Sequence, residues 1–131
     1  MPEEITGAEL ADWLGRDDAL LLDVRPMAAF NGWPLRGEAR GGHIRGATPF
    51  PLAWLAKGDD DQVRARLAEK GLDTGQAIVV YGYDGSDAAE ARERLRIIGY
   101  GDVRVYEEGL PAWAGDPERP IGFVRQTDLA R

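Results

Sequence analysis

Long apolar runs recur along the chain, and they predict strands that are buried on both faces. The runs ALLLDV and QAIVVY, residues 19–24 and 76–81, are almost unbroken, as is typical of central strands in a parallel sheet. Two shorter stretches, residues 47–50 and 102–106, predict further strands. We therefore expect a sheet whose strands are separated along the chain by other elements.

Apolar positions spaced three and four residues apart predict the helices that separate these strands. Residues 88–98 give the clearest case. A first helix begins at Thr6, whose hydroxyl can cap the amide of Glu9 while the Glu9 carboxylate reaches back. Another follows the three acids of residues 59–61, which suit the positive end of a helix. Strands alternating with helices indicate an α/β domain with a mainly parallel sheet.

Two segments lack this patterning. NGWPLRGEARGG, residues 31–42, predicts a long surface loop, and loops of this length are often functional. From Gly115 onward the chain is rich in turn residues and has weak periodicity. We interpret residues 1–115 as one domain and residues 116–131 as a C-terminal tail or linker.

Composition narrows the functional classes. The chain has 131 residues, enough for one domain, and a formal net charge of -7, which disfavours binding to nucleic acid or to acidic membranes. It has no cysteine, which excludes a disulfide, a thiolate metal site and a cysteine nucleophile. No apolar run has the length of a membrane span, and the first residues lack a signal pattern. We expect a soluble cytoplasmic protein that needs no metal and no cofactor.

Three segments in this order resemble the rhodanese-like sulfurtransferase family. LLDVR, residues 21–25, resembles its first signature strand, and GGHIRGA, residues 41–47, resembles its GHIPGA turn. IVVYGYDGSDAAEARERLRIIGYGDVRVYEEGLPAW, residues 78–113, resembles its catalytic strand, loop, helix, next strand and closing turn. The resemblance implies a three-layer domain with a central, mainly parallel sheet of five strands and helices on both faces. Residues 31–42 then resemble an insertion that covers the site.

The resemblance also implies where the chemistry would lie. In an active family member a cysteine opens the loop after the catalytic strand, and the loop amides stabilise its persulfide anion. Gly82 stands at that position here, and acidic Asp87 stands where the family often has arginine. The active-site-like loop comprises Gly82, Tyr83, Asp84, Gly85, Ser86, Asp87 and Ala88. We therefore predict a vacant nucleophile position and a catalytically inactive domain.

Other chemistry at this loop is open to two interpretations. Ser86 is a hydroxyl nucleophile only if a base activates it, and His43 is the single histidine of the chain. His43 is either that base or a turn residue bonded to nearby backbone, and the family uses it in the structural role. Asp87 either contributes to a metal site with Asp84 or caps the following helix, and the cap is favoured because other ligands are lacking.

A further set of residues is predicted to neighbour the pocket. Asp23 and Arg25 are expected to form a structural ion pair at the end of a strand. Arg36, Arg40 and Arg45 are predicted to cluster at the loop, where they either meet an anionic ligand or a partner's acids or are solvated. Trp33 either anchors a partner or folds down as a lid. The predicted neighbours are Asp23, Arg25, Arg36, Arg40 and His43.

Three functions follow from the sequence, in decreasing order of preference. The first is the non-catalytic N-terminal domain of a tandem sulfurtransferase, with a second, catalytic rhodanese domain as partner. The second is a stand-alone binding or regulatory module that holds a protein or a small anion at residues 82–88 or at the insertion with Trp33. The third is an enzyme of another reaction type, for instance a hydrolase that uses Ser86.

Overall fold

The computed structural model describes residues 4–14, 16, 20–33, 36 and 40–122, which form a three-layer α/β domain. The strands are β1 (Leu20–Asp23), β2 (His43–Ile44), β3 (Thr48–Pro49), β4 (Ala77–Tyr81), β5 (Asp102–Tyr106) and β6 (Ile121–Gly122). The helices are α1 (Gly7–Trp13), α2 (Met27–Phe30), α3 (Leu52–Leu55), α4 (Asp60–Glu69), α5 (Gly85–Ile97) and α6 (Gly109–Ala114). The α/β class is confirmed. No helix within these ranges is long and apolar enough to cross a membrane.

The central sheet has four strands rather than the predicted five. Its order is β3-β1-β4-β5, and every neighbouring pair is parallel. Alongside β5, Glu4 adds one parallel bridge to Val105, and Ile5 donates its amide to the Val105 carbonyl at 3.0 Å. Within the described residues this bridge does not extend into a strand, because the chain enters α1 at Gly7.

Two apolar clusters fill the space on the two faces of this sheet. On β4, Ile78 and Val80 point into one cluster, whereas Val79 and Tyr81 point into the other. The first cluster packs α3, α4 and α5 on the sheet, and the second packs α1 and α6. The predicted stripe on α5 is confirmed, since its four residues are all buried: Ala88, Ala91, Leu95 and Ile98. Because β4 is covered on both faces, its run is apolar without alternation.

The start of α1 is held by the predicted capping box. Thr6 Oγ1 accepts from the Glu9 amide at 3.2 Å, and Glu9 Oε1 accepts from the Thr6 amide at 3.0 Å. Ile5 and Leu10, on either side of this box, are both buried in the same core cluster. The first helix is therefore fixed both locally and against the sheet.

The described part of the C-terminal segment is bound to the domain. Residues 121–122 form β6, which pairs antiparallel with β2. Arg40 donates from Nε to the Ala114 carbonyl at 2.9 Å, and from Nη2 to the carbonyls of Asp116 at 2.6 Å and Arg119 at 2.9 Å. The division into a domain of residues 1–115 and a tail of residues 116–131 stays a prediction, and residues 123–131 lie outside the described ranges.

This segment also returns to the beginning of the domain. The Trp113 indole donates to the Pro120 carbonyl at 3.0 Å. The Arg119 guanidinium lies so close to Gly7 that a Cβ placed there would be 2.6 Å from Nη1. The first turn of α1 and the segment after α6 are therefore neighbours in space.

Substitution of Arg40 by methionine is expected to lower the free energy of unfolding by about 1–3 kcal/mol, because the segment loses its charge-assisted hydrogen bonds. Amide exchange at Ile121 and Gly122 should accelerate together with the loss of stability. Urea denaturation and hydrogen exchange would measure the two effects. Arg45→Met is the matched control, since Arg45 is exposed; equal effects of both substitutions would show that the Arg40 contacts contribute nothing.

Candidate functional site

A cleft opens at the carboxyl ends of three parallel strands, where ligands bind in α/β sheets of this kind. It has a volume of about 640 Å³, which lies in the range of small-molecule sites. The segments that follow β1 and β3 form one side, and the loop after β4 forms another. Its lining residues are Val24, Arg25, Pro26, Met27, Arg36, Pro51, Leu52, Ala53, Trp54, Tyr83 and Asp87.

A buried ion pair supports the floor of this region, as predicted for Asp23 and Arg25. Both side chains are fully buried, and Arg25 Nη2 lies 2.8 Å from Asp23 Oδ2. The Tyr81 hydroxyl donates to the same oxygen at 2.5 Å and accepts from the Ile44 amide at 3.0 Å. Burial alone would lower the pKa of Arg25, but the hydrogen bonds and charge of Asp23 outweigh it and raise that pKa. Arg25 therefore stays charged.

Arg25 also connects the strand end to the cleft. Its Nη2 donates to the Gly42 carbonyl at 2.6 Å, which fixes the turn before β2. Its guanidinium carbon lies 5.3 Å from the centre of the Tyr83 ring. Nη1, by contrast, is buried and makes no hydrogen bond with any residue that the structure describes. Nε and Nη2 therefore hold the fold together, whereas Nη1 has no such role among the described residues.

The space beside Gly82, where the sequence predicts a vacant nucleophile position, is filled from within the loop. Asp87 Oδ2 accepts from the Tyr83 amide at 3.0 Å, and Asp87 Oδ1 accepts from the Ala88 amide at 2.8 Å. A Cβ added to Gly82 would lie 2.1 Å from Asp87 Oδ2 and 2.2 Å from its Cγ. The carboxylate therefore occupies the space into which a side chain at Gly82 would extend, and it takes loop amide protons that an external anion would use.

The cap of α5 is Asp84, so the prediction that Asp87 caps this helix is wrong. Asp84 Oδ1 accepts from the Ser86 amide at 2.8 Å, and the helix begins at Gly85. Ser86 Oγ donates to the same oxygen at 2.7 Å. These hydrogen bonds from Ser86, with a smaller contribution from the charge of Arg36, lower the pKa of Asp84. Two carboxylates therefore lie at the positive end of α5.

The path of the loop is fixed by the turn that precedes α6. The Leu110 amide donates to the Gly82 carbonyl at 2.9 Å. Gly109 has φ +71°, and a Cβ there would lie 2.3 Å from the Tyr83 carbonyl oxygen. Only glycine combines this conformation with so close an approach. The loop after β4 is consequently fixed against the turn that leads into α6.

His43 has the structural role that was the favoured interpretation. Its Nδ1 lies 2.8 Å from the Phe30 carbonyl oxygen, and its ring stacks on that of Phe30 with centroids 3.7 Å apart. Burial lowers the pKa of His43, which favours the neutral ring. Since Ser86 bonds to Asp84 and His43 to Phe30, no contact supports a serine–histidine pair. The described residues also contain no cluster of His, Asp or Glu suited to a metal ion.

The three arginines near the predicted loop lie in different places. Arg36 is at the mouth of the cleft, with its guanidinium carbon 4.3 Å from the centre of the Tyr83 ring. Arg40 is partly buried against the C-terminal segment, and Arg45 is exposed. Of these, only Arg36 lines the cleft. Residues 34–35 and 37–39 of the predicted insertion lie outside the described ranges.

Sequence reasoning missed the apolar wall of the cleft. Trp54 lines it with 37% of its surface exposed, its ring edge-on to Phe50 with centroids 5.5 Å apart. Met27 from α2 and Leu52 from α3 also line it. The short helices α2 and α3 follow β1 and β3. Their position directly after parallel strands was the one sequence signal that could have placed these side chains at the cleft. Trp33, at 67% exposed, does not line this cleft.

Comparison with known proteins relates the chain to one family. The model described as "Rhodanese-like domain" matches residues 6–116. The thiosulfate sulfurtransferase YnjE of Escherichia coli (strain K12) is 30% identical over 108 residues, covering 79% of this chain and 25% of that protein. The anaerobic ergothioneine biosynthesis enzyme of Chlorobium limicola, solved with trimethyl histidine, superposes with a TM-score of 0.88. It is 34% identical, covering 96% of this chain and 29% of that one. A persulfide form of EanB superposes with a TM-score of 0.87. It is 35% identical, covering 94% of this chain and 28% of that one.

Proposed function

Because this chain belongs to the rhodanese-like domain family, we propose that it is a non-catalytic domain of a longer sulfurtransferase. The observation that carries this proposal is the position of Asp87, whose carboxylate fills the space beside Gly82. Sulfur transfer in this family needs a thiolate that becomes an anionic persulfide. Here the thiol is missing. The negative charge of Asp87 also accepts hydrogen bonds from loop amides that would otherwise stabilise a persulfide anion.

The size of the relatives supports a place in a longer protein. The chain spans 25% of YnjE and 29% of the Chlorobium limicola enzyme, so more than two thirds of each of them lies outside the match. In such a protein, an inactive domain contributes a wall or a contact surface to a partner domain that carries the cysteine. We infer that this chain has that role toward a second, catalytic rhodanese domain.

The purified chain is expected to form no thiocyanate from thiosulfate and cyanide above the buffer blank, because no residue of its loop can carry sulfane sulfur. A colorimetric thiocyanate assay run at increasing protein concentration is the measurement. Turnover that increases in proportion to protein would overturn the proposal. Alkylation with iodoacetamide separates this result from a contaminating enzyme, because a chain without cysteine is insensitive to it.

The cleft beside the loop supports a second role, as a binding module. It is preformed, and a buried arginine and an apolar wall line it. This role is compatible with either a longer protein or a domain that acts alone, because it needs no nucleophile.

A further inference from the structure

The cleft combines two features, a cationic side and an apolar aromatic wall. Arg25 and Arg36 supply the charges, one buried and one at the mouth. Trp54 and Leu52 face the same space from the segment after β3. A ligand that fills this volume would therefore meet a guanidinium on one side and an indole on the other.

The buried arginine gives the strongest indication of a ligand. Arg25 is 1% exposed, and its Nη1 makes no hydrogen bond within the described part of the chain. A buried donor of a charged group that lacks a partner is unfavourable, whereas an acceptor from outside would satisfy it. Asp23 already uses Nε and Nη2, so Nη1 is the nitrogen left for an incoming oxygen.

The same side of the cleft carries the second positive charge. The ring of the loop residue Tyr83 lies near both arginines, with its centre 5.3 Å from the Arg25 guanidinium carbon and 4.3 Å from that of Arg36. The carboxylate of Asp87 also lines the cleft, but it accepts from the amides of Tyr83 and Ala88. An anion is therefore favoured beside the arginines and disfavoured at the loop itself.

We propose that this cleft binds a small organic anion with a flat apolar body, of the aryl carboxylate class. The carboxylate accepts hydrogen bonds from Arg25 Nη1 and Arg36, and the ring system lies against Trp54 and Leu52. Aromatic side chains suit a flat body because ring pairs gain attraction beyond the area that they bury. The proposal does not depend on the place of the domain in a longer protein.

The test is a titration of the 131-residue chain with 2-naphthoate, followed by NMR at the assigned indole N–H groups. The Trp54 indole should shift with a submillimolar dissociation constant. The Trp113 indole should not shift, because Trp113 lies in the core cluster on the other face of the sheet and its N–H is bonded to the Pro120 carbonyl. Acetate carries the charge without the rings, and 2-naphthalenemethanol carries the rings without the charge. Both should bind at least about tenfold more weakly.

Two variants at exposed positions test the assigned contacts. Arg36→Gln and Trp54→Ala should each weaken 2-naphthoate by about three- to tenfold, through loss of a charge-assisted hydrogen bond and of ring contact. Arg45→Gln is the matched control, because it removes the same charge outside the cleft and should leave the dissociation constant unchanged. Arg25→Lys keeps the charge beside Asp23 but removes Nη1, so it should also weaken 2-naphthoate. If this variant does not fold, Arg36→Gln and Trp54→Ala test the proposal by themselves.

Several results would overturn the proposal. One is the absence of a Trp54 shift at millimolar 2-naphthoate. Another is equally tight binding of acetate or thiosulfate, which would make the cleft a simple anion site. A third is an equal effect of Arg36→Gln and Arg45→Gln, which would indicate non-specific charge attraction. None of these results bears on thiocyanate formation, so the non-catalytic role and the ligand site can fail separately.

Discussion

Substitution of Asp23 by alanine is expected to lower the free energy of unfolding by about 3–5 kcal/mol, because it leaves the Arg25 charge buried without its counter-ion. The carboxylate accepts from the Arg25 amide at 2.9 Å and Nε at 3.1 Å, and from the Tyr81 hydroxyl at 2.5 Å. All of these donors would lose their acceptor at once. Urea denaturation at constant pH is the measurement.

Two further variants distinguish this explanation from a general effect of removing a carboxylate. Asp60→Ala removes the partner of Arg94 in an ion pair where Asp60 is 49% exposed, and should cost less than about 1 kcal/mol. The double variant Asp23→Ala/Arg25→Met should be less destabilised than the sum of the single variants, because no isolated charge remains. Additive losses would mean that the two residues contribute independently, contrary to the geometry.

A cysteine introduced at Gly82 is expected to have a thiol pKa above the ordinary value of about 8.5. Its Cβ would displace the Asp87 carboxylate from a position 2.1 Å away, and that negative charge would still lie beside the sulfur. In Gly82→Cys/Asp87→Ala the carboxylate is removed and the Tyr83 amide is released. The thiol pKa should then be lower by about one unit or more, as for cysteines at helix N-termini.

This pKa can be measured cleanly, since the natural chain has no cysteine and the new thiol is the only one. The rate of alkylation by iodoacetamide, recorded from acid to alkaline pH, gives it directly. Gly82→Cys/Asp84→Ala is the matched control, because it removes a carboxylate from the same loop that does not contact the Gly82 position. If both double variants lowered the pKa equally, general charge in the loop, and not the placement of Asp87, would control the thiol.

The sequence predicted those parts of the fold that depend on local chemistry. The capping box of α1 and the apolar stripe of α5 were both foreseen, because each is settled within a few residues. The central strands were foreseen because a strand covered on both faces must be apolar throughout. The count of five strands was wrong: it came from the family resemblance alone, whereas the apolar runs predicted four, and residue 4 contributes only a single bridge before α1 begins.

The site was harder to predict, because contacts between distant segments decide it. Asp84 and Asp87 are both good capping residues, and the sequence alone does not show which of them caps α5. The choice depends on the path of the loop, which a close contact with Gly109 restricts. The placement of Asp87 over Gly82 depends on that loop path. Trp54 lines the cleft only because the ends of β1 and β3 are adjacent in the sheet.

The contact between Arg119 and the first turn of α1 has a consequence for substitutions in either segment. A side chain added at Gly7 would displace the Arg119 guanidinium, which lies against this glycine. The first turn of α1 and the segment after α6 therefore cannot be altered independently: a substitution in one is felt in the other, although more than a hundred residues separate them along the chain.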